Sequence, residues 1–433
     1  MPANASRERI LVTSHGHPDF SLGGGEIAAY DLFKAYGQHA QVDRTWFLAR
    51  AEKPGGQPAG EIGLRRPGEY LWYQSVHDWP MHRAHHRRAI GSVFADLIRT
   101  LQPTILHAHH YAHLGLDHLV FLKEQFPALR IFLTLHEFMA ICRHNGQMIK
   151  TGSLRLCKEA SAQDCQRCFP ESSVEDFWLR KSFMLDRLLS LDAFVAPSHF
   201  LRQRYVDWGL PADRIIMIEN GQPARERLPA RELLPGETRN RFAFFGQINP
   251  YKGLDVLLRA LTLLKKTEQR QLVLEVHGAH FEHQPQELRE RIAGYLDQLV
   301  PTGVVQWVGP YRPEEMSRRL ARVDWVVVPS IWWENSPLVI QEAFGAGRPV
   351  VCSDIGGMAE KVRHGVDGLH VPAANPLEWS RTLLTAATEP GLWERLAAGL
   401  PQVLSHGGCA QQHLDYFDRF PVASAASTAT SLP

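Results

Sequence analysis

Residues 325–342 read WVVVPSIWWENSPLVIQE, and the rest of the chain can be interpreted outward from this stretch. It begins with four apolar residues followed by proline, which predicts a short strand that is buried on both faces of a parallel sheet and ends at Ser330. Ser336 and Pro337 then form a helix-start signal, with the serine as N-cap and the proline at the first helical position. Strand, loop and helix together predict one βα unit.

A helix start of this kind favours anion binding. The first N–H groups of a helix have no partner inside it, and the helix dipole is positive at this end, so a phosphate or diphosphate is the expected ligand. The alternative is an ordinary βα turn whose polar side chains are solvated. The residues predicted to surround the anion are Asn335, Ser336, Pro337 and Leu338.

Two carboxylates flank the predicted anion site. Glu342 lies about 6 Å beyond Leu338 along the helix axis, at about 1.5 Å per residue, and a carboxylate there can accept both hydroxyl protons of a ribose. Glu334 follows the carboxyl end of the strand, where open α/β sheets place their ligands, so it would face the reacting group. Pairs of glutamates occur by chance in most chains, so both assignments depend on the strand and the helix start beside them.

The composition is that of a globular protein and excludes some functions. A chain of 433 residues is too long for one core, so we expect two domains. The 47 basic residues nearly balance the 46 acidic ones, which leaves no basic field for nucleic acid. Residues 1–9 are polar, and no apolar run approaches the roughly 18 residues of a membrane span. We therefore expect no signal peptide and a cytoplasmic location.

The first half of the chain contains a glycine-rich turn. A predicted strand over 10–14 leads into a polar loop that ends in Gly23-Gly24-Gly25-Glu26, and a helix then runs to Gly37. Glycines let a ligand approach the backbone closely, so the pattern predicts a phosphate-type turn, with a turn that binds nothing as the alternative. It is not the dinucleotide fingerprint, because G-x-G-x-x-G cannot be written across it.

Histidines follow two further predicted strands. His107, His109 and His110 end the strand that begins at Thr104, and His136 ends the strand over 130–136. Because ligands of parallel sheets bind at the carboxyl ends of strands, these histidines are candidate site residues. Polar residues that merely terminate strands are the alternative.

A helix predicted over 82–101 is basic at its start and apolar afterwards. Its first part holds Arg83, Arg87 and Arg88, and Ile90 begins the apolar face. Such a helix either contacts an anionic membrane surface peripherally or packs on its own domain with a solvated end, and we favour packing.

Four of the six cysteines lie in one insertion near residues 142–170. The last two have the C-x-x-C spacing of zinc knuckles, and four thiolates can close a tetrahedral site for zinc or another soft metal. The first two lack that spacing, so free thiols remain an alternative, and disulfides are least favoured in a reducing cytosol. The four candidate ligands are Cys142, Cys157, Cys165 and Cys168.

The alternation of strands and helices restarts after residues 223–240, which are rich in Pro, Arg and Glu and predict a linker. A strand over 241–245 leads to a loop in which Lys252 stands just before a helix, where it could meet a phosphate. The Ala, Ser and Thr-rich end of the chain, 421–433, is expected to be disordered. The predicted architecture is two doubly wound Rossmann-like α/β domains, 1–222 and 241–403, facing each other across a cleft.

Residues 334–351, ENSPLVIQEAFGAGRPVV, together with the strand before them, resemble the signature of the retaining nucleotide-sugar glycosyltransferases of family four. The resemblance covers most of the chain and is strongest from Phe242 to Glu360. It implies the glycosyltransferase B-type fold, in which the first domain serves the acceptor and the second binds the nucleotide sugar. In that fold a helix over 404–420 crosses back to the first domain.

The resemblance also implies roles for individual residues. In the first domain, Gly23 and Gly24 would lie over the donor phosphates and His136 would touch the donor sugar, although Glu137 stands where the family has Asp. In the second domain, Lys252 would bind the diphosphate and the turn before Tyr311 would meet the base. Gln247 replaces an arginine of the family, which removes one positive charge from the phosphate site.

These expectations describe a retaining glycosyltransferase that moves a sugar from a nucleoside diphosphate sugar to a glycan, lipid-linked or small-molecule acceptor. Glu334 and His136 are the catalytic candidates, and no metal is expected in catalysis because Lys252 and helix dipoles can stabilise the departing diphosphate. One alternative is an epimerase or hydrolase of the same fold, which would turn over the donor without an acceptor. Another is a non-catalytic nucleotide-sugar-binding protein.

Overall fold

The structure, a computed structural model, describes residues 7–21, 23–52, 60–74, 76–84, 87–153, 155–224 and 226–421. The chain divides into two units: Met1–Gly221 with Leu404–Pro433, and Gln222–Val403. Within the described ranges, no helix is long and apolar enough to cross a membrane. The tail predicted to be disordered lies, apart from Pro421, outside the described residues.

The first unit is built on a sheet of eight strands in the order β10-β9-β8-β7-β1-β2-β4-β3. Neighbours pair in parallel except β3 and β4, and β5 and β6 form a separate antiparallel pair. The strands are β1 (Glu8–Ser14), β2 (Val42–Ala51), β3 (Ile62–Arg66), β4 (Glu69–Tyr73), β5 (Val76–Asp78), β6 (Arg83–Ala84), β7 (Ile105–Ala108), β8 (Arg130–Thr134), β9 (Ala193–Ala196) and β10 (Ile215–Met217).

Helices connect these parallel strands, as parallel pairing requires. They are α1 (Gly24–Gly37), α2 (Arg87–Leu101), α3 (Leu116–Gln125), α4 (Ala162–Cys168), α5 (Val174–Leu189) and α6 (His199–Trp208). Of these, α2 starts five residues later than predicted, because residues 79–82 form a turn closed by a hydrogen bond from His82 N to Trp79 O. Phe94 and Ile98 on α2 are buried, and Phe94 packs on Trp72, which supports the packed alternative for this helix. The side chains of 87–90 lie outside the described part.

The second unit has a six-stranded parallel sheet in the order β13-β12-β11-β14-β15-β16. Its strands are β11 (Arg241–Gln247), β12 (Val273–Ala279), β13 (Val305–Trp307), β14 (Trp325–Val328), β15 (Val350–Ser353) and β16 (Gly368–Val371). Its helices are α7 (Leu254–Thr262), α8 (Lys266–Gln269), α9 (Gln286–Leu299), α10 (Met316–Leu320), α11 (Leu338–Gly345), α12 (Gly356–Lys361), α13 (Pro376–Thr388) and α14 (Leu392–Ala398). The prediction of two doubly wound α/β domains is confirmed.

The last helix, α15 (His406–Phe417), belongs to the first unit although the chain reaches it from the second. Its Leu414 and Phe417 join the buried core that also contains Ile10 of β1 and Phe132 of β8. The ring of Phe417 stacks on that of Phe132 at 3.9 Å between centroids. Burial of these apolar side chains is what holds the end of the chain on the first unit.

The segment predicted as a linker packs on the second unit. Arg231 forms an ion pair with Asp324 at 3.0 Å, and the side chain of Asp324 is fully buried. The N–H of Arg241 also bonds to Asp324, at 3.1 Å. A buried charge requires such partners, so this part of the polar segment is ordered by the carboxylate before β14.

Candidate functional site

In the second unit, the sheet order places a switch point between β11 and β14. From β11 the chain continues on one side to β12 and β13, whereas β14, β15 and β16 lie on its other side. Open α/β sheets bind ligands at the carboxyl ends of the strands beside such a point. Lys252 follows β11 and Glu334 follows β14, so the two residues predicted from separate motifs come from the two loops at this point.

The structure brings Lys252 and Glu334 together as an ion pair of 2.6 Å between Nζ and Oε1. Glu334 is buried, and the same oxygen accepts from Ser330 Oγ at 2.8 Å and Trp332 Nε1 at 2.9 Å. Burial raises the pKa of Glu334, but the Lys252 charge and these hydrogen bonds outweigh it and hold that pKa below its ordinary value. Glu334 is therefore a fixed, ionised carboxylate at neutral pH.

Three contacts that the sequence did not reveal bring the Lys252 loop to the end of β14. Gly253 has φ +72°, and a Cβ atom there would lie 2.0 Å from the carbonyl oxygen of Pro329, so only glycine permits this approach. The N–H of Ile331 donates to Tyr251 O at 2.8 Å. Tyr251 also stacks on Trp332, with ring centroids 5.3 Å apart. The lone signal in the sequence was the glycine directly after Lys252.

A second close approach holds the loop that carries Glu334. The N–H of Gly357 donates to Glu334 O at 2.7 Å. A Cβ atom on Gly357 would lie 1.7 Å from Asn335 O, so this position also requires glycine. The N-terminal turn of α12 thus supports the backbone of the predicted anion site.

The helix start differs from the prediction by one residue. Pro337 is the N-cap, with φ −61° and ψ 115°, and α11 begins at Leu338, so Ser336 is not the N-cap. The extended backbone of Pro337 places it outside the helix, because a helical residue would need a negative ψ. Among the described residues, no acceptor is found for the N–H groups of Leu338 and Val339. The predicted donors for an anion are thus present.

Glu342 lies on α11 one turn after this helix start. Tyr311 packs against the buried cluster that includes Ile340 and Ala343 of α11. Burial, and then the charge of Glu342, raise the pKa of the Tyr311 phenol well above its ordinary value. The residues predicted for the ribose and for the base therefore belong to one region of the second unit. Gln247, the residue that replaces the family's arginine, is exposed at the end of β11.

In the first unit, the glycine-rich loop is covered by the chain's own carboxylate. Glu26 folds back over Gly23, where an added Cβ would lie 2.2 Å from its Oε2. Its Oε1 accepts from Ser21 Oγ at 2.6 Å and lies 3.3 Å from His15 Nε2. Burial raises the pKa of Glu26, but His15, Ser21 and the backbone outweigh this and lower it to about 2. A phosphate over Gly23 and Gly24 would lie beside the Glu26 carboxylate, which would repel it. That the two glycines bind the phosphates of the sugar donor stays a prediction.

His136 lies in the first unit beside the N-terminal turn of α1, where an added Cβ on Gly25 would be 3.6 Å from its ring. Its Nε2 is 3.0 Å from Nδ1 of the buried His109. Burial, reinforced by the charge of His15, lowers the pKa of His136 to about 4. His136 is therefore neutral at pH 7 and can contribute hydrogen bonds to a sugar without adding charge.

Glu137 is expected to make stability fall as pH rises. Burial raises its pKa to about 8 against an ordinary value of 4.5, so the folded state holds a proton that the unfolded state releases. The stabilisation is complete below pH 4.5 and is lost as pH rises towards 8. Glu137→Gln should therefore raise the free energy of unfolding by about 2 kcal/mol at pH 8 and by much less at pH 5.

Urea unfolding of Glu137→Gln at the two pH values tests this expectation. Glu159→Gln, which changes an exposed glutamate of the same unit, is the matched control and should alter stability little at either pH. Equal effects of Glu137→Gln at pH 5 and pH 8 would show that Glu137 does not hold the proton.

The four cysteines of the insertion are not arranged as a closed metal site in the part of the chain that the structure describes. Cys157 is buried, the other three are partly buried, and all four are free thiols. Burial raises the pKa of Cys165 to about 12, and the charges of Cys142, Cys157 and Cys168 add to the increase. No group of three or more His, Cys, Asp or Glu side chains in the described ranges is arranged to hold a metal ion. The zinc site therefore stays a prediction.

Metal analysis of the purified protein decides between zinc and free thiols. A zinc site predicts about one equivalent per chain, lost in Cys165→Ser or Cys168→Ser. Cys352→Ala, outside the insertion, is the control that should keep it. Metal-free protein of unchanged stability would leave the four residues as ordinary thiols.

Family models match both units. The model described as glycosyl transferases group 1 matches residues 239–389, and the model described as glycosyltransferase family 4 matches residues 22–223. The first match contains Lys252, Glu334 and Glu342, and the second contains the glycine-rich turn and His136. Both candidate regions thus lie within the matched residues.

Curated relatives share part of this chain. A D-inositol 3-phosphate glycosyltransferase of Nocardioides sp. is 36% identical over 188 residues, which are 41% of each chain. The enzyme of the same name from Thermobispora bispora is 28% identical over 263 residues, 58% of each chain. The alignments thus span less than two thirds of either relative.

Solved structures share the fold at low identity. The Anabaena protein HepE, in complex with UDP and glucose, matches with a TM-score of 0.65 at 17% identity, over 95% of this chain and 100% of that chain. Sucrose-phosphate synthase from Thermosynechococcus elongatus matches with a TM-score of 0.64 at 18% identity, over 95% and 99% of the two chains. These matches support the glycosyltransferase B-type fold.

Proposed function

Because this chain belongs to the group 1 glycosyl transferases, with the glycosyltransferase B-type fold, we propose that it transfers a sugar from a nucleoside diphosphate sugar to a hydroxyl acceptor. The observation that carries the proposal is the Lys252–Glu334 ion pair at the switch point of the second sheet. A cation that neutralises the leaving diphosphate and a carboxylate that contacts the reacting sugar are the two groups that such a transfer needs. A uridine nucleotide is the proposed donor, because HepE was solved with UDP and glucose.

Each part of the donor has a proposed partner in the second unit. The N–H groups of Leu338 and Val339 and the Lys252 ammonium bind the diphosphate, and Glu342 binds the ribose hydroxyls. The turn that ends at Tyr311 meets the base. These positive and donor groups are sufficient to stabilise the developing charge, so the proposed reaction needs no metal ion.

The proposed reaction retains the configuration of the sugar. The bond between sugar C1 and the phosphate oxygen breaks, the acceptor oxygen bonds to C1 on the same face, and the acceptor proton passes to the leaving phosphate. Glu334 Oε1 accepts three hydrogen bonds, which makes it a poor nucleophile and supports the route without a covalent intermediate. His136, neutral and partly buried in the first unit, is proposed to hold the sugar.

The acceptor is proposed to be a polyol, glycan or lipid-linked sugar served by the first unit. The names of the relatives make an inositol phosphate the first acceptor to test. Incubation with UDP-glucose and candidate acceptors, followed by NMR of the product anomer, tests transfer and retention together. Donor turnover without an acceptor would indicate the epimerase or hydrolase alternative, and binding without any turnover would indicate a non-catalytic protein.

Gln247→Arg is expected to tighten binding of UDP about fivefold, or about 1 kcal/mol, the scale of one partly exposed charge-assisted contact. Gln247 is exposed at the end of β11, so an arginine can be accommodated there. Turnover need not rise, since equal stabilisation of ground and transition states leaves the barrier unchanged. Calorimetry on this variant and on Gln298→Arg, which adds the same charge on α9, provides the test. Unchanged affinity in Gln247→Arg would remove residue 247 from the phosphate site.

A further inference from the structure

A chain of hydrogen bonds runs through the second unit beside the turn that ends at Tyr311, buried at β12 and partly exposed at Arg319. Glu275 and His277 lie on β12, 5% and 1% exposed, and His277 Nε2 is 3.0 Å from Glu275 Oε2. His277 Nδ1 is 2.8 Å from Nη1 of Arg319 on α10. Arg319 Nη2 then donates to the carbonyl oxygen of Pro310 at 3.0 Å. We call Glu275, His277 and Arg319 the His277 relay.

The chemistry of these groups determines the direction of each hydrogen bond. A guanidinium has donors only, so Nδ1 of His277 must accept from Arg319. The ring proton then lies on Nε2 and is donated to Glu275. Arg319 thus donates from Nη1 to His277 and from Nη2 to Pro310, and Nη2 also lies 3.3 Å from Oε2 of Glu315. No hydrogen bond between Glu275, His277 and Arg319 can reverse its direction without breaking the next one.

The relay completes the bonding of a turn that is otherwise held by the sheet. Gly309 donates its N–H to Val276 O at 3.2 Å and accepts at its own carbonyl from Gly278 N at 3.1 Å. Pro310 has no N–H, and its carbonyl is taken by Arg319. In the described part of the chain, the backbone N–H and carbonyl of Tyr311 have no partner. Tyr311 therefore presents a donor and an acceptor on a turn whose preceding groups are all bonded.

Aromatic contacts join the same parts. The ring of His277 stacks on Phe245 at 4.5 Å with planes 13° apart, and the ring of Tyr311 meets Phe245 edge-on at 5.5 Å. The side chain of Tyr311 is therefore packed on the ring that packs on His277. Both the backbone and the side chain of this turn depend on where His277 is held.

We infer that the His277 relay positions the Gly309–Tyr311 turn and thereby determines how tightly and how selectively the second unit binds the base of a nucleotide. The inference rests on the proposed function, because that proposal places the base at this turn. Glu275, His277 and Arg319 are positioning residues: they act through the backbone of the turn and need not touch the nucleotide. A rigid donor and acceptor pair selects among bases, whereas a mobile pair can adapt to several.

Calorimetric titration with UDP, ADP and GDP tests the relay. Arg319→Gln should weaken the binding of UDP about tenfold and reduce its preference over the other two nucleotides, because Pro310 and His277 both lose their donor. His277→Ala should have a similar effect. The double variant should be no worse than the more affected single variant, since the relay is already broken.

Arg318→Gln is the matched control. Arg318 is the exposed neighbour of Arg319 and also pairs with Glu315, at 2.6 Å, but it does not bond to the turn or to His277. Its UDP affinity and base preference should stay within twofold of the wild type. Thermal unfolding shows whether each variant folds, and if Arg319→Gln does not, Arg319→Lys, which can bond to one of the two partners, should weaken binding about threefold.

The outcomes separate this inference from the function on which it rests. A folded Arg319→Gln protein with wild-type affinity and base preference overturns the relay while the proposed function stands. Equal losses in Arg319→Gln and Arg318→Gln also overturn it, because the effect would then be one of charge. A wild-type protein that binds none of UDP, ADP and GDP overturns the proposed function and the relay together.

Discussion

Replacing Glu334 by glutamine should lower the turnover of sugar transfer by at least about a hundredfold. That is the usual loss of rate when one group that stabilises the charge of the transition state is removed. Glutamine keeps the shape of the side chain but not the charge that opposes Lys252 across 2.6 Å. The proposed contact of Glu334 is with the reacting sugar, where positive charge develops as the diphosphate leaves. UDP affinity should change less than threefold, because the nucleotide is held by other groups.

Steady-state kinetics beside calorimetry with UDP provide the measurement. Trp332→Phe is a graded control: it removes one of three hydrogen bonds to Glu334 Oε1 and leaves the carboxylate in place, so its turnover should fall several-fold at most. If Glu334→Gln weakened UDP binding as strongly as it lowered turnover, the residue would be part of the nucleotide site. If turnover were unchanged, Glu334 would have no catalytic role.

Replacing Glu342 by alanine should have the opposite signature, with UDP affinity falling about thirtyfold and turnover at saturating donor near the wild-type value. A carboxylate that accepts two hydroxyl protons of a ribose makes charge-assisted hydrogen bonds, each worth about 1.5–3 kcal/mol. The ribose is bound alike in the ground and transition states, so the loss appears in binding. The change is also local, since Glu342 lies on the partly exposed face of α11.

The same two assays measure this effect, and Glu342→Gln is the companion variant. Glutamine retains one acceptor oxygen, so its affinity should lie between those of the alanine variant and the wild type. A deoxynucleotide makes the test more specific. Because 2′-deoxy-UDP lacks one ribose hydroxyl, its affinity should fall less in Glu342→Ala than the affinity for UDP does. An equal loss for both nucleotides would mean that Glu342 does not read the ribose.

The chain pattern sufficed to predict the elements around the candidate site. A run of valines ended by proline predicted β14, and a leucine-rich segment after Lys252 predicted α7. Such patterns can be recognised in the sequence because a strand buried on both faces must be apolar throughout, and a helix repeats its buried positions every three to four residues. The sequence defines the boundaries less closely, as Pro337 shows: proline fits both the N-cap and the first helical position, and its ψ of 115° places it at the N-cap.

Contacts between residues far apart in the chain could not be predicted from the sequence. The sequence near Lys252 does not indicate that Glu334 is its partner. The two residues meet because Gly253 has no Cβ, so its backbone can approach the carbonyl oxygen of Pro329 closely. Nothing in the sequence marks Glu26, in the first turn of α1, as the side chain that covers the glycine-rich loop. Glu275 and His277 alternate along β12 like other strand residues, and the sequence does not show that Arg319 of α10 contacts His277.

The sequence by itself determined the two parallel α/β units, the order of their elements and the residue types available at each strand end, because secondary structure follows from local periodicity and turn chemistry. Tertiary structure alone decided which of those residues meet: Lys252 with Glu334, Glu26 with Gly23, and Arg319 with both His277 and Pro310. The physical reason is that ionisation, hydrogen-bond direction and close approach are properties of pairs. A pair forms only when folding removes water from both partners and the backbone leaves room for them.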